Sequence, residues 1–430
     1  MKKLTALFLA AGMVMAASAP ASAVDVKFDG NYQFTFEGYS SGFDGKNEEF
    51  VAQRLRLGAT FAASENLSGY LQFQFGTDEW GTRDYKHGTH GKSVAARQVY
   101  IDWKVPGTPV QVRMGRQAAA LPAEAFGGNS VMDAGGSGFM QDGIVVASPV
   151  TDWLGLSAMW MRFGADGTDV DASKNNDLFA AIADLKFDGI SGAVYAAYAS
   201  FQDPADVVYG ARNFSGEGDA YWVGATATLS AFDPFTLKLS ALYGEASADE
   251  AGVKGNKGWD IQAKASYAMD FGTPVFGGWY ASGAEDGNGN MPTVGGYFAP
   301  TTTYYDGAYS LGGGNIATDD IQGTWGVMAG IEGFSFLQNL THDFTVAYIA
   351  GTNEYVETAG KAITAAKYLT DEDATVEFNF NSHYKIYKNL VAHLELAYLI
   401  NDLNDKAVNA KDVKLDEDDW RVALTFQYKF

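Results

Sequence analysis

Apolar and polar side chains alternate with a period of two in the last ten residues of the chain. One set of positions in residues 421–430 is apolar or aromatic: Val422, Leu424, Phe426, Tyr428 and Phe430. The intervening set is small or polar: Arg421, Ala423, Thr425, Gln427 and Lys429. Successive side chains of a β-strand point to opposite faces, so this period predicts a strand with one apolar and one polar face.

The same period recurs along the chain, for example in residues 54–61, 67–75 and 259–269. Segments of about ten residues with every second side chain apolar are typical of transmembrane barrel strands, whose apolar positions face lipid and whose other positions face a lumen. We count about 18 strands, or 16 if the weak segments at residues 141–148 and 275–283 are not strands. Barrels of either size leave an aqueous channel.

The connections between the predicted strands alternate between short turns and long loops. The short ones carry turn-forming residues: 63–66, 106–109, 188–190, 233–234 and 387–389. The long ones are rich in Gly, Asp and Asn: 39–49, 77–95, 118–140, 165–177, 203–217, 247–257, 284–320, 352–372 and 403–417. Short turns of transmembrane barrels face the periplasm and long loops face outside, so the alternation predicts an all-β antiparallel barrel and its orientation.

The first residues have the features of a cleaved secretion signal. Lys2 and Lys3 precede an apolar stretch at residues 4–17, and Ala21-Ser22-Ala23 is a small-residue cleavage site. The apolar stretch is shorter than the roughly 20 residues that a membrane-spanning helix needs. We therefore expect residues 1–23 to be removed and residues 24–430 to form one barrel domain.

Composition and charge restrict the function classes. The chain has 50 Gly, 28 Phe, 23 Tyr and 9 Trp, but is only 47% hydrophobic, which is too polar for a helical membrane protein. The formal charge of −22 becomes −24 without the two signal lysines, and this argues against nucleic acid as a partner because such binding needs a basic surface. The absence of Cys excludes disulfides and a thiol nucleophile.

One long loop is unusually apolar for a loop that faces solvent. Residues 118–130 follow the strand at residues 110–117 and read Ala118-Ala119-Ala120-Leu121-Pro122-Ala123-Glu124-Ala125-Phe126-Gly127-Gly128-Asn129-Ser130. Side chains of this kind suit packing against the inside of a barrel wall. We therefore expect this third loop to fold into the lumen.

These residues resemble the general trimeric porins of Gram-negative bacteria. In that family an inward third loop carries Leu-Pro-Glu-Phe-Gly-Gly after a strand that ends in a Tyr-Gly-Arg-like motif. This chain has Met114-Gly115-Arg116-Gln117 and then Leu121 to Gly128, with Ala123 and Ala125 as insertions. Arg54-Leu55-Arg56-Leu57-Gly58, Leu67-Ser68-Gly69-Tyr70 and the terminal aromatic strand are similar to further family elements. The resemblance covers residues 50–130 and the last ten.

The resemblance implies which residues narrow the pore. Family porins place wall arginines across from acidic residues of the third loop, which makes Arg56 a wall cation and Glu124 its counterpart. Arg97 is a weaker candidate, because it shares its parity with apolar residues unless a bulge intervenes. Arg54 and Arg113 share the inward parity of their strands and extend the basic row. Opposed charges across a constriction favour polar solutes.

The resemblance also implies a homotrimeric diffusion channel in the Gram-negative outer membrane for small hydrophilic solutes. A variant of this hypothesis is a channel that prefers small anionic nutrients. No cofactor is required, and no motif of an enzyme occurs. Small residues on predicted lipid-side faces suit contacts between subunits: Ala181, Ala183, Ala225 and Ala227.

Acidic loops leave a second hypothesis open. Asp166, Asp169 and Asp171 are clustered in one external loop, and such carboxylates suit Ca²⁺, although the run lacks the Gly and Glu of an EF-hand. Their simpler interpretation is a solvated acidic loop. The alternative function is a surface-interaction barrel whose acidic loops bind divalent cations and lipopolysaccharide, with residues 284–320 long enough to block the lumen.

Overall fold

The structure is a computed structural model. It describes residues 24–41, 46–80, 94–133, 140–164, 175–202, 218–248, 256–284, 290–305, 307–311, 321–354, 369–403 and 418–430. The predicted signal at residues 1–23 lies outside these ranges.

The described residues form eighteen β-strands. In chain order they are β1 (Asp25–Ser41), β2 (Lys46–Ser64), β3 (Leu67–Glu79), β4 (Val94–Lys104), β5 (Gln111–Gln117), β6 (Gln141–Pro149), β7 (Leu154–Gly164), β8 (Asn176–Phe187), β9 (Ile190–Phe201), β10 (Gly218–Phe232), β11 (Phe235–Ala248), β12 (Lys257–Tyr267), β13 (Thr273–Ala281), β14 (Thr324–Leu337), β15 (Leu340–Gly351), β16 (Ala374–Tyr387), β17 (Leu390–Asp402) and β18 (Asp419–Lys429). The count of 18 is confirmed and the alternative of 16 is wrong, because both weak segments are strands.

The sheet closes on itself as an antiparallel barrel. Each strand pairs with its neighbours in sequence, and β1 also pairs with β18 from Asn31↔Lys429 to Tyr39↔Arg421. The main-chain groups of Gly30 and Phe430 exchange two further hydrogen bonds at the end of this seam. Closure leaves no edge unpaired among the eighteen described strands, as a sheet surrounded by lipid requires.

The side-chain alternation follows the predicted period. On β18, Val422 and Tyr428 are 43% and 42% exposed on the outer face, whereas Ala423 and Thr425 are fully buried on the inner face. The strands are joined by short turns at one end and by longer connections at the other, as expected. The first long connection is shorter than predicted, because β1 and β2 continue as a hairpin to Ser41 and from Lys46. No helix in the described ranges is long and apolar enough to cross a membrane.

Two connecting segments lie inside the barrel. The third loop (here residues 118–133) follows β5, and a second segment, the inner strap (residues 290–305 and 307–311), lies between β13 and β14. They are joined by main-chain hydrogen bonds from Val294 N to Val131 O and from Tyr297 N to Asn129 O, at 3.0 and 2.9 Å. Together they form an inner layer against the wall.

Apolar packing holds this inner layer in place. Third-loop side chains join inward-facing side chains of β7–β11 in one buried cluster that includes Leu121, Met132, Met161, Leu178 and Trp222. Strap side chains join those of β13–β17 in a second cluster that includes Phe298, Tyr305, Trp279, Ile349 and Leu399. The third loop is therefore folded into the lumen as predicted. The inner layer therefore covers the wall opposite β2–β5.

Candidate pore constriction

Two arginines of β2 point into the lumen. Arg54 and Arg56 alternate with the outward-facing Leu55 and Leu57, so the pleat directs both guanidinium groups inward. Arg54 Nη2 donates to the amide oxygen of Gln33 on β1. Arg56 Nε donates to Gln74 Oε1 on β3 at 2.9 Å. Both arginines are half-buried and hydrogen-bond to neutral amides at these contacts.

Arg97 of β4 joins them through a bulge. The register between β3 and β4 shifts between the pairs Gln72↔Gln98 and Phe73↔Ala96, so Arg97 is the extra residue. A bulge re-aims the side chain that it contains. Arg97 Nη1 accordingly reaches Gln74 Oε1 at 3.5 Å, beside Arg56. The structure therefore resolves the conflict between its strand parity and an inward position.

Gln74 positions this basic cluster. Its Oε1 accepts from both Arg56 and Arg97, and its Nε2 donates to Gly76 O at 2.8 Å. Gly76 has a φ of 80°, a conformation that Gly adopts at no steric cost. The charges of Arg54, Arg56 and Arg97 repel one another. The neutral amide of Gln74 holds the guanidinium groups of Arg56 and Arg97 together without cancelling their positive charge.

Cavities lie on either side of the cluster along the same wall. The one toward the long loops has a volume of about 320 Å³ and is lined by Glu48, Glu79 and Leu311, among others. The one toward the short turns has about 600 Å³ and is lined by Glu65, Lys104 and Ala118, among others. Arg54, Arg56 and Arg97 therefore lie between these two cavities along the wall of β2–β4.

Arg113 lines the cavity toward the short turns, but the carboxylate of Asp102 offsets its positive charge. Its Nε and Nη2 donate to the two carboxylate oxygens of Asp102 at 2.7 and 2.9 Å. The guanidinium also lies 4.1 Å from the centre of the Tyr100 ring. The prediction that Arg113 extends the basic row therefore needs correction. Arg113 forms a bidentate ion pair with Asp102 of the neighbouring strand β4, and this pair carries no net charge.

Glu124 lies away from the open lumen. It is 4% exposed and accepts hydrogen bonds from Ser130 Oγ and from Gln262 Nε2 on β12. Burial raises the pKa of Glu124 to about 7. The prediction that Glu124 is the counterpart of Arg56 across the constriction is therefore corrected, because its buried carboxyl anchors the third loop to the wall.

The raised pKa of Glu124 predicts a pH-dependent stability. The folded protein retains a proton here that the unfolded chain releases near its ordinary pKa of 4.5, so this stabilisation is complete below about 4.5 and is lost as the pH rises through about 7. Glu124→Gln keeps a neutral side chain, and we expect it to be more stable than the parent protein at pH 8 by about 2–3 kcal/mol. Thermal unfolding at pH 5 and 8 measures this. Glu65→Gln, in an exposed turn, is the control and should change neither value.

The predicted calcium ligands Asp166, Asp169 and Asp171 lie outside the described residues. Within the described ranges, no group of three or more His, Asp or Glu side chains is arranged to hold a metal ion.

The comparisons with known proteins agree with this architecture. A profile described as Gram-negative porin matches residues 4–314. The chain belongs to the Gram-negative porin family. No curated protein matches the chain in sequence. Family membership makes this porin an outer-membrane transport channel and not an enzyme.

Solved structures support the fold of the porin. OpdQ of Pseudomonas aeruginosa is 14% identical with a TM-score of 0.57, over 94% of the porin and 98% of OpdQ. OpdO of the same species is 14% identical with a TM-score of 0.56, over 94% and 97%. OccK2 (OpdF), also from this species, is 14% identical with a TM-score of 0.58, over 94% and 98%. At such identities the likeness concerns the fold alone.

The wall of the porin binds the inner strap through buried carboxylates that sequence reasoning did not single out. Glu377 on β16 accepts from Thr303 N and Tyr304 N at 2.8 and 3.0 Å. Glu395 on β17 accepts in the same way from Tyr309 N and Ser310 N at 2.8 and 3.1 Å. Both carboxylates are fully buried. The signal that was available was an acidic residue at an inward position of each of these two strands.

Arg421 completes the attachment of the strap. Its Nη1 donates to Thr302 O at 2.8 Å and its Nη2 to Ser310 Oγ, while its Nε lies 3.0 Å from Glu37 Oε1 on β1. The side chains of Arg421 and Glu37 are both fully buried. The strap is thus attached by charged groups of the barrel's closing seam.

Proposed function

We propose that this porin passes small hydrophilic solutes by passive diffusion and favours small anions. The observation that supports the proposal is the cluster of Arg54, Arg56 and Arg97, which faces the lumen between two cavities. Two unit charges 4 Å apart interact by about 4 kcal/mol at an effective dielectric constant of about 20. Three neighbouring cations of this kind attract a passing anion and repel a cation.

The buried position of Glu124 strengthens this proposal. An exposed acid opposite the arginines would offset their charge and stabilise permeating cations. Because the carboxyl of Glu124 is enclosed between the third loop and β12, it does not offset the basic cluster at close range. The basic cluster of β2 and β4 therefore faces no exposed carboxylate from Glu124.

Reversal potentials test the proposed selectivity. In a planar bilayer with a tenfold KCl gradient, the porin should carry chloride in preference to potassium. A small organic anion such as acetate should permeate better than a cation of similar size. A reversal potential of zero, or one with the sign expected for a potassium-selective channel, would contradict the anion preference. A folded preparation without any conductance would contradict the diffusion channel itself.

Self-association into a homotrimer is part of the proposal and rests on the resemblance of the third loop and the terminal strand to the trimeric porins. The outward positions of Ala181, Ala183, Ala225 and Ala227 are compatible with close contacts between walls. Calcium at Asp166, Asp169 and Asp171 and contact with lipopolysaccharide stay predictions for the external loops.

One observation favours the second candidate function, a surface-interaction barrel with a filled lumen. The inner strap comes from residues 284–320 and lies inside the barrel. Conductance separates the two candidates, because a filled barrel conducts only when the strap is released, whereas the proposed channel conducts with the strap in place.

A further inference from the structure

Two histidines meet on the inner face of the barrel wall, against the end of the inner strap. His383 on β16 and His393 on β17 are register partners, and both occupy inward positions of their strands. Their Nδ1 atoms lie 2.7 Å apart, and His383 Nε2 lies 2.9 Å from Asp343 Oδ2 on β15. A carboxylate and two imidazoles are thus joined in one row across three strands.

The hydrogen-bond network assigns the protons of this row. The carboxylate of Asp343 accepts from His383 Nε2, so the Nδ1 atom of a neutral His383 carries no hydrogen and accepts from His393 Nδ1. His393 Nε2 is then left without a hydrogen. This atom is buried and has no hydrogen-bond partner among the described residues. The row is therefore complete when both imidazoles are neutral.

An added proton finds no acceptor in this arrangement. The bond between the two Nδ1 atoms holds one hydrogen whether the positive charge resides on His383 or on His393, so the extra hydrogen lies on His393 Nε2. A buried N–H group without an acceptor is unfavourable, and more so when it carries charge. Uptake of a proton therefore favours any rearrangement that brings water to His393 Nε2.

The end of the inner strap covers the two histidines from the lumen side. The Tyr309 ring stacks on the His393 ring with centroids 4.2 Å apart and an angle of 4° between the planes, and its centroid lies 5.1 Å from that of His383. The main chain of the strap end is held by Tyr309 N and Ser310 N, which donate to Glu395. Tyr309 is itself 44% exposed, so it can lift from His393 without any opening of the barrel wall.

Fixed charges around the row disfavour a proton on His393 while Tyr309 is in place. The titratable or charged side chains near the row, besides Asp343 and Tyr309, are Glu37 on β1, Glu332 on β14, His342 on β15, Lys385 on β16, Glu395 on β17, and Arg421 and Lys429 on β18. Asp343 attracts a positive charge to His383, whereas Lys429 repels one from His393. Water that enters when Tyr309 leaves would screen this repulsion.

The strap end is connected to the basic cluster through Gln33. Gln33 Nε2 donates to Tyr309 O at 3.4 Å, and Gln33 Oε1 accepts from Arg54 Nη2. Leu311, two residues further along the strap, lines the cavity of about 320 Å³ beside the cluster. Departure of Tyr309 therefore removes a partner of the residue that holds Arg54 and takes Leu311 out of this cavity.

We infer that the strap end is a proton-operated latch: uptake of a proton by the pair of His383 and His393 releases Tyr309 and widens the channel beside Arg54. The inference rests on the proposed diffusion channel and adds its regulation. Only the released form offers water to the added hydrogen, and an exposed imidazole has an ordinary pKa of about 6.5. The ratio of released to closed channels should then rise about 30-fold between pH 8 and pH 5.

Single-channel conductance in a planar bilayer tests the latch. We expect the conductance of the parent porin to be at least about twofold higher at pH 5 than at pH 8, because the released form gains population. The variant His383→Gln with His393→Phe offers a donor to Asp343 and an aromatic face to Tyr309 but binds no proton, so its conductance should be equal at both pH values. The matched control His342→Gln removes a histidine on the outer face of the same wall and should respond as the parent does.

The outcomes separate the latch from the channel. A parent conductance that does not change with pH would overturn the latch and leave the diffusion channel intact. An equal response of the parent and the double variant would also overturn it, because Glu124 and Glu395 are still titratable in that variant, and so would a loss of the response in His342→Gln. Absence of conductance at both pH values would contradict the proposed channel, and the latch is then decided by a measurement that needs no ion flow.

Amide hydrogen exchange is that measurement, and it uses the parent porin. Peptides that contain Tyr309 N and Ser310 N should lose protection at least about tenfold between pH 8 and pH 5, after correction for the intrinsic exchange rate, because release opens their hydrogen bonds to the wall. Peptides that contain Thr303 N and Tyr304 N are the internal control and should keep their protection. Equal protection of Tyr309 and Ser310 at both pH values would overturn the latch.

Discussion

Replacing Arg54, Arg56 and Arg97 together by glutamine is expected to abolish the anion preference of the porin. Each guanidinium contributes a positive charge at the point where a solute passes between the two cavities. Interaction energies of about 1–4 kcal/mol per charge pair correspond to roughly fivefold or greater changes in relative permeability for each guanidinium. The ratio of chloride to potassium permeability should therefore fall at least about tenfold. Reversal potentials in a KCl gradient measure this ratio.

A matched variant distinguishes the basic cluster from arginine content in general. Arg113→Gln with Asp102→Asn removes the bidentate pair from the same wall without changing net charge. We expect its permeability ratio to stay within about twofold of the parent, since an ion pair attracts neither sign strongly. If the triple glutamine variant kept the parent's reversal potential, the cluster would not determine selectivity.

Releasing the inner strap is the second change with a large expected effect. Arg421→Ala removes the donor to Thr302 O and Ser310 Oγ and leaves the charge of Glu37 buried without its ion-pair partner. Removing one partner of a buried pair costs about 3–5 kcal/mol. We expect the strap to leave the wall of β16–β18 and the single-channel conductance to rise several-fold.

Two measurements check strap release together. Conductance reports the open cross-section, and limited proteolysis reports whether residues 290–311 have become accessible. The control is Arg421→Gln with Glu37→Gln, which leaves no unpaired buried charge and should release the strap to a smaller extent. A strap that remains protected in Arg421→Ala, with parent conductance, would mean that Glu377, Glu395 and the aromatic cluster are sufficient to hold it.

The position of Arg97 shows where a local pattern stops being informative. Its parity with Val99 and Ile101 predicts an outward side chain, and the sequence indicated an inward one only if a bulge intervened. The bulge exists because β3 and β4 pair on two registers, Gln72↔Gln98 and Phe73↔Ala96. Register depends on both strands and on the turn that joins them, so neither segment alone decides it.

Glu124 and the inner strap illustrate the same limit over longer distances. The motif at residues 121–128 correctly indicated an inward loop, but exposure of Glu124 depends on Gln262, which is 138 residues away. The strap depends on contacts such as that between Arg421 and Thr302, which are 119 residues apart. Period and motif describe which face a residue occupies and not what covers that face.

The amino-acid sequence by itself determined the barrel, a count of 18 or 16 strands and the inward positions of Arg54 and Arg56. Each strand must meet an apolar surface on one side and a polar lumen on the other, and this requirement is expressed in a period of two residues. Only the tertiary structure decided that Arg97 joins the basic cluster, that Asp102 offsets Arg113, that Glu124 is buried and that a second segment fills part of the lumen. These properties depend on pairing and burial between residues far apart in the chain, where no local period carries information.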